Sequence, residues 1–418
     1  MMKTTKTITT TKTITTPHPR SRRAAKAGAT LLVAVSVAMS GGASVHAVNP
    51  PGGDPAAARG ERAAAVSFRD IASHWARASI EQAVQQGYVN GYEDGSFQPN
   101  RQVSRAEFTK LLVGALGLTV AERQADERWD APYFAAASVA GITSAAEFNN
   151  HVDTALTRSE LARLAMKALG DKNADARKWM YLAAQTGIIS GSGAGDIGPE
   201  QTTTRAESIT VLERILAVKG GAKLKADKYA VQAAELYWHK TNIFTVMPEF
   251  FVDTRYPTLY DPNNLSIEST DGQYRAVIDA IVAIDLADPN DPNLKLLPPL
   301  KNLRWDNNTR NGGVPVERYK DSYMIMIQKH IVKTNKRYGN DLFAFFYGFK
   351  SDDFEEFRNG RLTEPAPVFE QGKGLTALNL TIFPKKGNHT EEDGFKLTLR
   401  PPVNNSNARA VLYAKPKF

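Results

Sequence analysis

The sequence predicts an α-helical domain of three internal repeats, followed by a separate β-rich or α+β domain. Three observations carry this expectation. A set of glycine, proline and capping residues recurs at a fixed offset between residues 66 and 220. The apolar residues around it follow a helical period. Beyond Gly220-Gly221 the repeat stops, and runs of β-branched and aromatic residues take over.

At 418 residues, with 42% hydrophobic and 23% charged, the chain is ordinary globular material long enough for two or three cores. The formal charge of +8 belongs to one end. Residues 1–47 hold Lys3, Lys6, Lys12, Arg20, Arg22, Arg23 and Lys26 with no acidic residue, which leaves the other 371 residues at +1. No nucleic-acid partner is expected from such a balance. The same residues have the parts of a secretory signal peptide: a basic start, an apolar stretch from Ala29 to Met39, and small residues ending in Val45-His46-Ala47. That stretch is well short of the roughly 20 residues that span a bilayer, so the chain is expected to be secreted, with no stable membrane insertion after cleavage. It contains no cysteine, and its folding must therefore rest on apolar cores. Residues 48–65, rich in Pro, Gly and Ala, read as a flexible linker.

Gly87, Gly91, Gly95, Pro99, Arg105, Ala106 and Glu107 recur 100 residues later as Gly187, Gly191, Gly195, Pro199, Arg205, Ala206 and Glu207. A middle copy aligns Gly141 with Gly87, Trp129 with Trp75 and Thr157-Arg158-Ser159-Glu160 with Ser104-Arg105-Ala106-Glu107. The units span residues 66–120, 121–170 and 171–220. Each reads as helix, loop, helix. In the first, Trp75, Ser79, Ile80, Ala83 and Val84 form one stripe, and Gly87 stands where a left-handed C-cap is wanted. The loop from Gly91 to Pro99 turns on its glycines, with Phe97 as an apolar peg. Ser104-Arg105-Ala106-Glu107 then opens the second helix as a capping box.

FRDIASHW, GYVNGYEDGSFQP and SRAE in the first unit, with LTRSE and TTRAE in the others, resemble S-layer homology repeats. The resemblance covers residues 66 to about 220, where three units in tandem match the family's usual arrangement. It implies a pseudo-threefold α-helical domain. Its inter-repeat grooves would bind a secondary cell-wall polymer, commonly one bearing pyruvate ketals on N-acetylmannosamine. The chain is accordingly expected on the bacterial cell wall or S-layer surface.

An arginine at the first position of a helix sets a planar, permanently charged fork beside backbone amides and the positive end of the helix dipole, an arrangement suited to a carboxylate. Arg105, Arg158 and Arg205 each stand there. The caps Ser104, Thr157 and Thr204 need only their usual role, worth about 1 kcal/mol each. Capping asks for nothing particular at the second position, so three arginines there point to ligand contact. Asp70, Trp75, Gly91 and Gly191 are the further candidates that match the family. Unit two replaces the glycine loop with Ala145-Ala146-Glu147-Phe148-Asn149-Asn150. With the glycine loops of units one and three intact and that of unit two altered, Arg105 and Arg205 are expected to matter more than Arg158.

Residues 221–418 carry one expected helix, Asp227 to about Thr241, and then strands at 277–286, 323–330, 342–349, 375–383, 395–399 and 410–414. The stretch from Asp288 to Gly313 reads as a long surface loop. Asp288 to Asn293 offers oxygen ligands for calcium, but without the glycine and bidentate glutamate of an EF-hand, so neither metal nor cofactor is expected. His239, His330 and His389 are too far apart for an HExxH-type site, and no nucleophile elbow or P-loop occurs. The favoured reading is a structural or binding module displayed by a wall anchor. Its alternative is a tethered enzyme acting on polysaccharide.

Overall fold

The computed structural model describes residues 68–414 apart from 174, 194, 252–259, 264, 309–311, 336–337, 339–341, 373–378, 392–394 and 403–408. The expected leader and linker lie outside the described residues. A helical region is followed by a sheet-rich one.

Three helix pairs make up the repeats: α1 (Arg77–Gln85) with α2 (Arg105–Ala115), α3 (Ala131–Val139) with α4 (Arg158–Ala168), and α5 (Lys178–Gln185) with α6 (Arg205–Lys219). The first helix of each pair ends at a left-handed glycine, Gly87, Gly141 or Gly187, with φ of +80°, +70° and +73°. The second begins in a complete capping box, on Ser104, Thr157 or Thr204.

Those boxes meet at a closed ring of backbone hydrogen bonds. Val103 N donates to Thr203 O at 3.1 Å, Thr203 N to Leu156 O at 2.8 Å, and Leu156 N to Val103 O at 2.9 Å. The next amides continue the exchange. Arg105 and Ala106 donate to Thr154 and Val152, Arg158 and Ser159 to Gln201 and Pro199, and Arg205 and Ala206 to Arg101 and Pro99. Each helix start is thereby satisfied half by its own capping box and half by the strand that leads into the next unit's box, the third returning to the first.

One continuous buried cluster runs through the three pairs, from Phe68 to Ile215, with Phe97 fully enclosed as the expected peg. It also takes in Ala230, Val231 and Ala234 of α7 (Lys228–His239), whose N-cap is Asp227. Trp238 on α7 lies 4.9 Å from the Tyr181 ring and donates its Nε1–H to Asp175 at 2.7 Å. The helical core therefore draws on sequence beyond Gly221.

After the short α8 (Ile243–Val246) come β1 (Ser266–Glu268), β2 (Arg275–Asp285), β3 (Leu303–Trp305), β4 (Val314–Pro315), β5 (Ser322–Lys333), β6 (Phe343–Tyr347) and β7 (Phe349–Ser351). α9 (Phe354–Arg358) precedes β8 (Ala366–Glu370), β9 (Leu380–Pro384), β10 (Asn388–Thr390), β11 (Phe395–Arg400) and β12 (Arg409–Ala414). The main antiparallel sheet has the order β1-β2-β5-β9-β8-β3-β4; β12-β11-β6 and β10-β7 pair separately. The main sheet lies between two cores. Alternation along β5 sends Tyr323, Ile325 and Ile327 to the side of Tyr274 and Phe383, and Met324 to the side of Trp305 and Phe357.

Two sequence expectations need correction. The stretch 288–313 is not a plain loop, because it holds two 3-10 turns and β3, whose Trp305 is fully buried. Three residues are too few to display a period of two. The run 342–349 is not one strand either: Gly348 at φ +91° breaks it into β6 and β7.

Of the three ring residues, Val103 and Leu156 are apolar, whereas Thr203 buries a hydroxyl that has no hydrogen-bond partner. An unpaired buried polar group costs about 1–3 kcal/mol. Thr203→Val keeps the shape and removes the hydroxyl, so it should raise stability by about 1 kcal/mol in urea unfolding; a loss of that size would show that the hydroxyl is bonded.

Candidate functional site

Because each helix start borrows its acceptors from the next unit, each arginine reaches the next unit's loop and not its own. Arg105 faces the loop of unit two, Arg158 that of unit three, and Arg205 that of unit one. The three forks meet different surroundings.

Arg158 is almost fully buried, its side chain 8% exposed. Its Nη2 donates to Ser190 O at 2.7 Å and its Nε to Ile197 O at 3.0 Å, while Nη1 stands 3.5 Å from Glu207. It lines a cavity of about 320 Å³ together with Trp75, Ser190, Gly191, Glu207 and Arg214. Arg214 Nη1 donates to Ile188 O at 3.0 Å and reaches Ser190 Oγ at 3.3 Å; among the described residues it has no carboxylate partner. Burial pulls both guanidinium groups below their ordinary pKa, with Glu207 and Asp196 partly opposing this at Arg158. An arginine nevertheless stays charged, so this groove is lined by two partly desolvated cations and one carboxylate, Glu207, which among the described residues pairs with Arg158 alone.

The Arg205 groove is also about 320 Å³, lined by Tyr88, Asn90, Tyr92, Arg101, Lys110 and Trp129 among others. Arg205 Nη2 donates to Asn90 O at 2.6 Å, and its guanidinium lies 4.5 Å from the Phe97 ring centre and 5.3 Å from that of Tyr92. Its Nε is buried without a partner. The capping glutamate of the same groove, Glu107, is paired with Arg101 at 2.6 Å. Burial lowers the Arg205 pKa as well.

Arg105 is spent internally. Its Nη2 and Nε meet Glu160 at 2.7 and 3.1 Å, and Nη1 donates to His151 O and Thr154 Oγ1 at 2.9 and 2.6 Å. The altered loop of unit two fills the space above it. Asn149 and Asn150 supply the positive φ that glycines give elsewhere, and a 3-10 turn at 145–148 sets Phe148 between Arg105 and Arg163, 5.1 and 5.2 Å from their guanidinium carbons. Glu147 pairs with Arg163 and Lys167.

The other candidates divide. Trp75, 66% exposed, is not part of the buried stripe that the period assigned it, and it lines the Arg158 groove from unit one. Gly191 lines the same groove. Gly91 is needed for packing, since a Cβ there would lie 2.0 Å from the Phe68 ring. Asp70 accepts the Phe97 and Gln98 amides at 2.8 Å each and so pins the first glycine loop. The helix amides that the sequence offered to a ligand are not free, because carbonyls of the neighbouring unit take them. Among the polar groups at the helix starts, the arginine side chains are what these grooves present. Sequence reasoning missed Arg214, Tyr92 and Trp129, although the repeat alignment had already matched Trp129 to Trp75.

Residues 67–109 and 175–207 match the family model of the S-layer homology domain. Among similar proteins, an amylopullulanase of Thermoanaerobacterium thermosulfurigenes is 28% identical over 37% of this chain and 10% of its own length. Exoglucanase XynX of Acetivibrio thermocellus is 27% identical over 36% of this chain and 16% of its own. An S-layer protein of Bacillus thuringiensis subsp. finitimus is 28% identical over 35% and 21%. The chain thus spans between a tenth and about a fifth of these relatives.

On the pairing of arginines with neighbouring loops, Arg158 is predicted to change places with Arg105 in the ranking, and Arg205 to keep its own. Arg158→Ala and Arg205→Ala should each weaken binding of soluble wall-polymer fragments about tenfold to a hundredfold, the worth of one charge-assisted contact. Arg105→Ala should change it by less than about threefold, and calorimetry that finds Arg105→Ala the most damaging would overturn the assignment.

The Asp70 carboxylate gives a pH signature. Slight burial alone would raise its pKa, but the Phe97 and Gln98 amides outweigh that and hold it below the usual aspartate range. A lowered folded-state pKa stabilises above the unfolded value and is lost as pH falls through the folded one. Asp70→Asn should therefore unfold at lower urea than the parent at pH 7, and the gap should close on acidification below about pH 4.

Proposed function

We propose that this chain, which carries S-layer homology domains, is held non-covalently on the bacterial cell wall by the Arg158 and Arg205 grooves. Each takes an acidic group of a secondary cell-wall polymer. The observation that carries this reading is the pair of 320 Å³ cavities in which cations outnumber carboxylates among the described residues: Arg158 and Arg214 share Glu207, 3.5 Å from Arg158, and Arg205 and Arg101 share Glu107, already paired with Arg101. A desolvated cation in excess of its counter-ions is costly to the folded protein, and a carboxylate ligand removes that cost. Exposed Trp75 and Trp129 beside the two forks offer a ring face to a sugar's C–H surface.

The hydrogen-bond ring supports a pseudo-threefold arrangement of the units, with the third groove filled by Phe148. Cell-surface association accords with the relatives, of which one is named an S-layer protein and two are named as enzymes. No helix among the described residues is long and apolar enough to cross a membrane. Residues 221–418 are read as the module that the anchor displays. Their sheet region contains, among the described residues, no group of three or more side chains placed to hold a metal.

The test is sedimentation of residues 48–418 with purified walls. Binding should persist on intact walls and vanish once the secondary polymer is extracted. It should also be lost in the Arg158→Ala/Arg205→Ala pair, where avidity can no longer mask a single loss; equal binding to extracted peptidoglycan would contradict the proposal.

A further inference from the structure

The loop that forms the Arg158 groove is held from outside the repeats. We propose that Asp227 and Pro292 are positioning residues of that groove, so that ligand binding at Arg158 and docking of the C-terminal region are coupled. The identity of the ligand rests on the anchoring reading; the clamp itself does not.

Two contacts carry the proposal. Gly191 N, in the stretch that lines the cavity, donates to Asp227 Oδ2 at 3.4 Å, while Asp227 Oδ1 caps α7 by accepting from Tyr229 N at 3.0 Å. One carboxylate thus ties the groove loop to the helix that leads into the sheet region. At the other end of the loop, a Cβ on Gly195 would lie 2.1 Å from Pro292 Cβ and 2.4 Å from Pro292 Cγ. The Pro292 ring lies against the Gly195 backbone in the space that a side chain there would fill.

Pro292 is not a loose neighbour. Asp291, buried, accepts from Asp285 N and Asn293 N at 2.9 Å each, and Asp288 in the same turn binds Lys228 Nζ at 2.6 Å and Tyr229 OH at 3.0 Å. The oxygens that the sequence offered to calcium are engaged in fixing this turn against α7. Unit one supplies an internal reference. Gly95 has the same φ of +76° as Gly195, but a Cβ there meets nothing within 4 Å. Alanine therefore costs the same backbone strain at both positions, and only at Gly195 does it also strike the C-terminal region.

A loop held in its binding conformation spares the ligand the cost of ordering it. Coupling of this kind is reciprocal and typically worth 5–150-fold in affinity. The experiment uses residues 48–418 with Gly95→Ala, Gly195→Ala and Gly195→Ala/Pro292→Gly, folding being checked by circular dichroism. Without ligand, hydrogen exchange of the 188–199 amides should rise about tenfold more in Gly195→Ala than exchange of the 88–99 amides does in Gly95→Ala. Removing the proline ring should return it toward the parent.

With soluble wall-polymer fragments, Gly195→Ala placed on Arg205→Ala should weaken the remaining groove about tenfold. Gly95→Ala placed on Arg158→Ala should weaken the other less than about threefold. Equal effects at the two glycines, or no rescue by Pro292→Gly, would overturn the clamp. If the parent binds no fragment at all, the anchoring reading falls and the exchange data alone decide the clamp.

Discussion

Everything in the helical region depends on one constraint: the first amides of a helix have no partner within that helix. A capping box satisfies two of them, the N-cap amide through the glutamate and the third helical amide through the hydroxyl, as at Ser104 and Glu107. The two between, on Arg105 and Ala106, are left over. Here they are matched by Thr154 and Val152 of the following unit, and the third unit closes on the first through Arg101 and Pro99. No unit can satisfy its own second helix, so the three fold as one body around a single apolar cluster. For a chain without cysteine, that shared core and interlock do what disulfides do in cross-linked domains.

The same constraint decides where the proposed grooves can meet a ligand. Once the amides are consumed, the positive helix ends are no longer anion sites, and only the arginine side chain beside each box remains to meet a ligand. The strand that supplies the acceptors also carries the next unit's loop to that arginine. Arg158 therefore works with Ser190 and Ile197, and Arg205 with Asn90, while Arg105 meets the one loop whose glycines are gone. Phe148 and Glu160 then complete an internal salt-bridged stack in place of an open groove. An alteration in unit two is felt at the arginine of unit one.

What was legible in the sequence was local. The capping boxes, the left-handed glycines, the Phe97 peg and the helix after Asp227 each follow from a few adjacent residues and the backbone conformations they permit, and each stands where those residues put it. What was not legible depends on who sits beside whom. Trp75 fits a helical stripe by spacing, yet it lies outside α1 and over a groove of a different unit. The helix N-termini looked like anion sites because nothing in one sequence marks which carbonyl will reach them across some 50 or 100 residues. β3 is three residues long and carries no period to detect, although its Trp305 is among the largest fully buried side chains.

A scaffold saturated by its own backbone is also one whose grooves can differ without weakening it. Nine residues after each arginine, on the helix that walls the groove, stand Gly114, Lys167 and Arg214. The first, beside Tyr88, adds no side chain, the second pairs with Glu147 and helps close its groove, and the third adds a second cation to the Arg158 cavity. None of these side chains takes part in the ring that joins the units. Charge, size and access can therefore be set groove by groove, while the hydrogen bonds that hold the three units together stay the same. In the third unit the loop has the additional hold of Asp227 and Pro292, so its setting is tied to the region that follows the repeats.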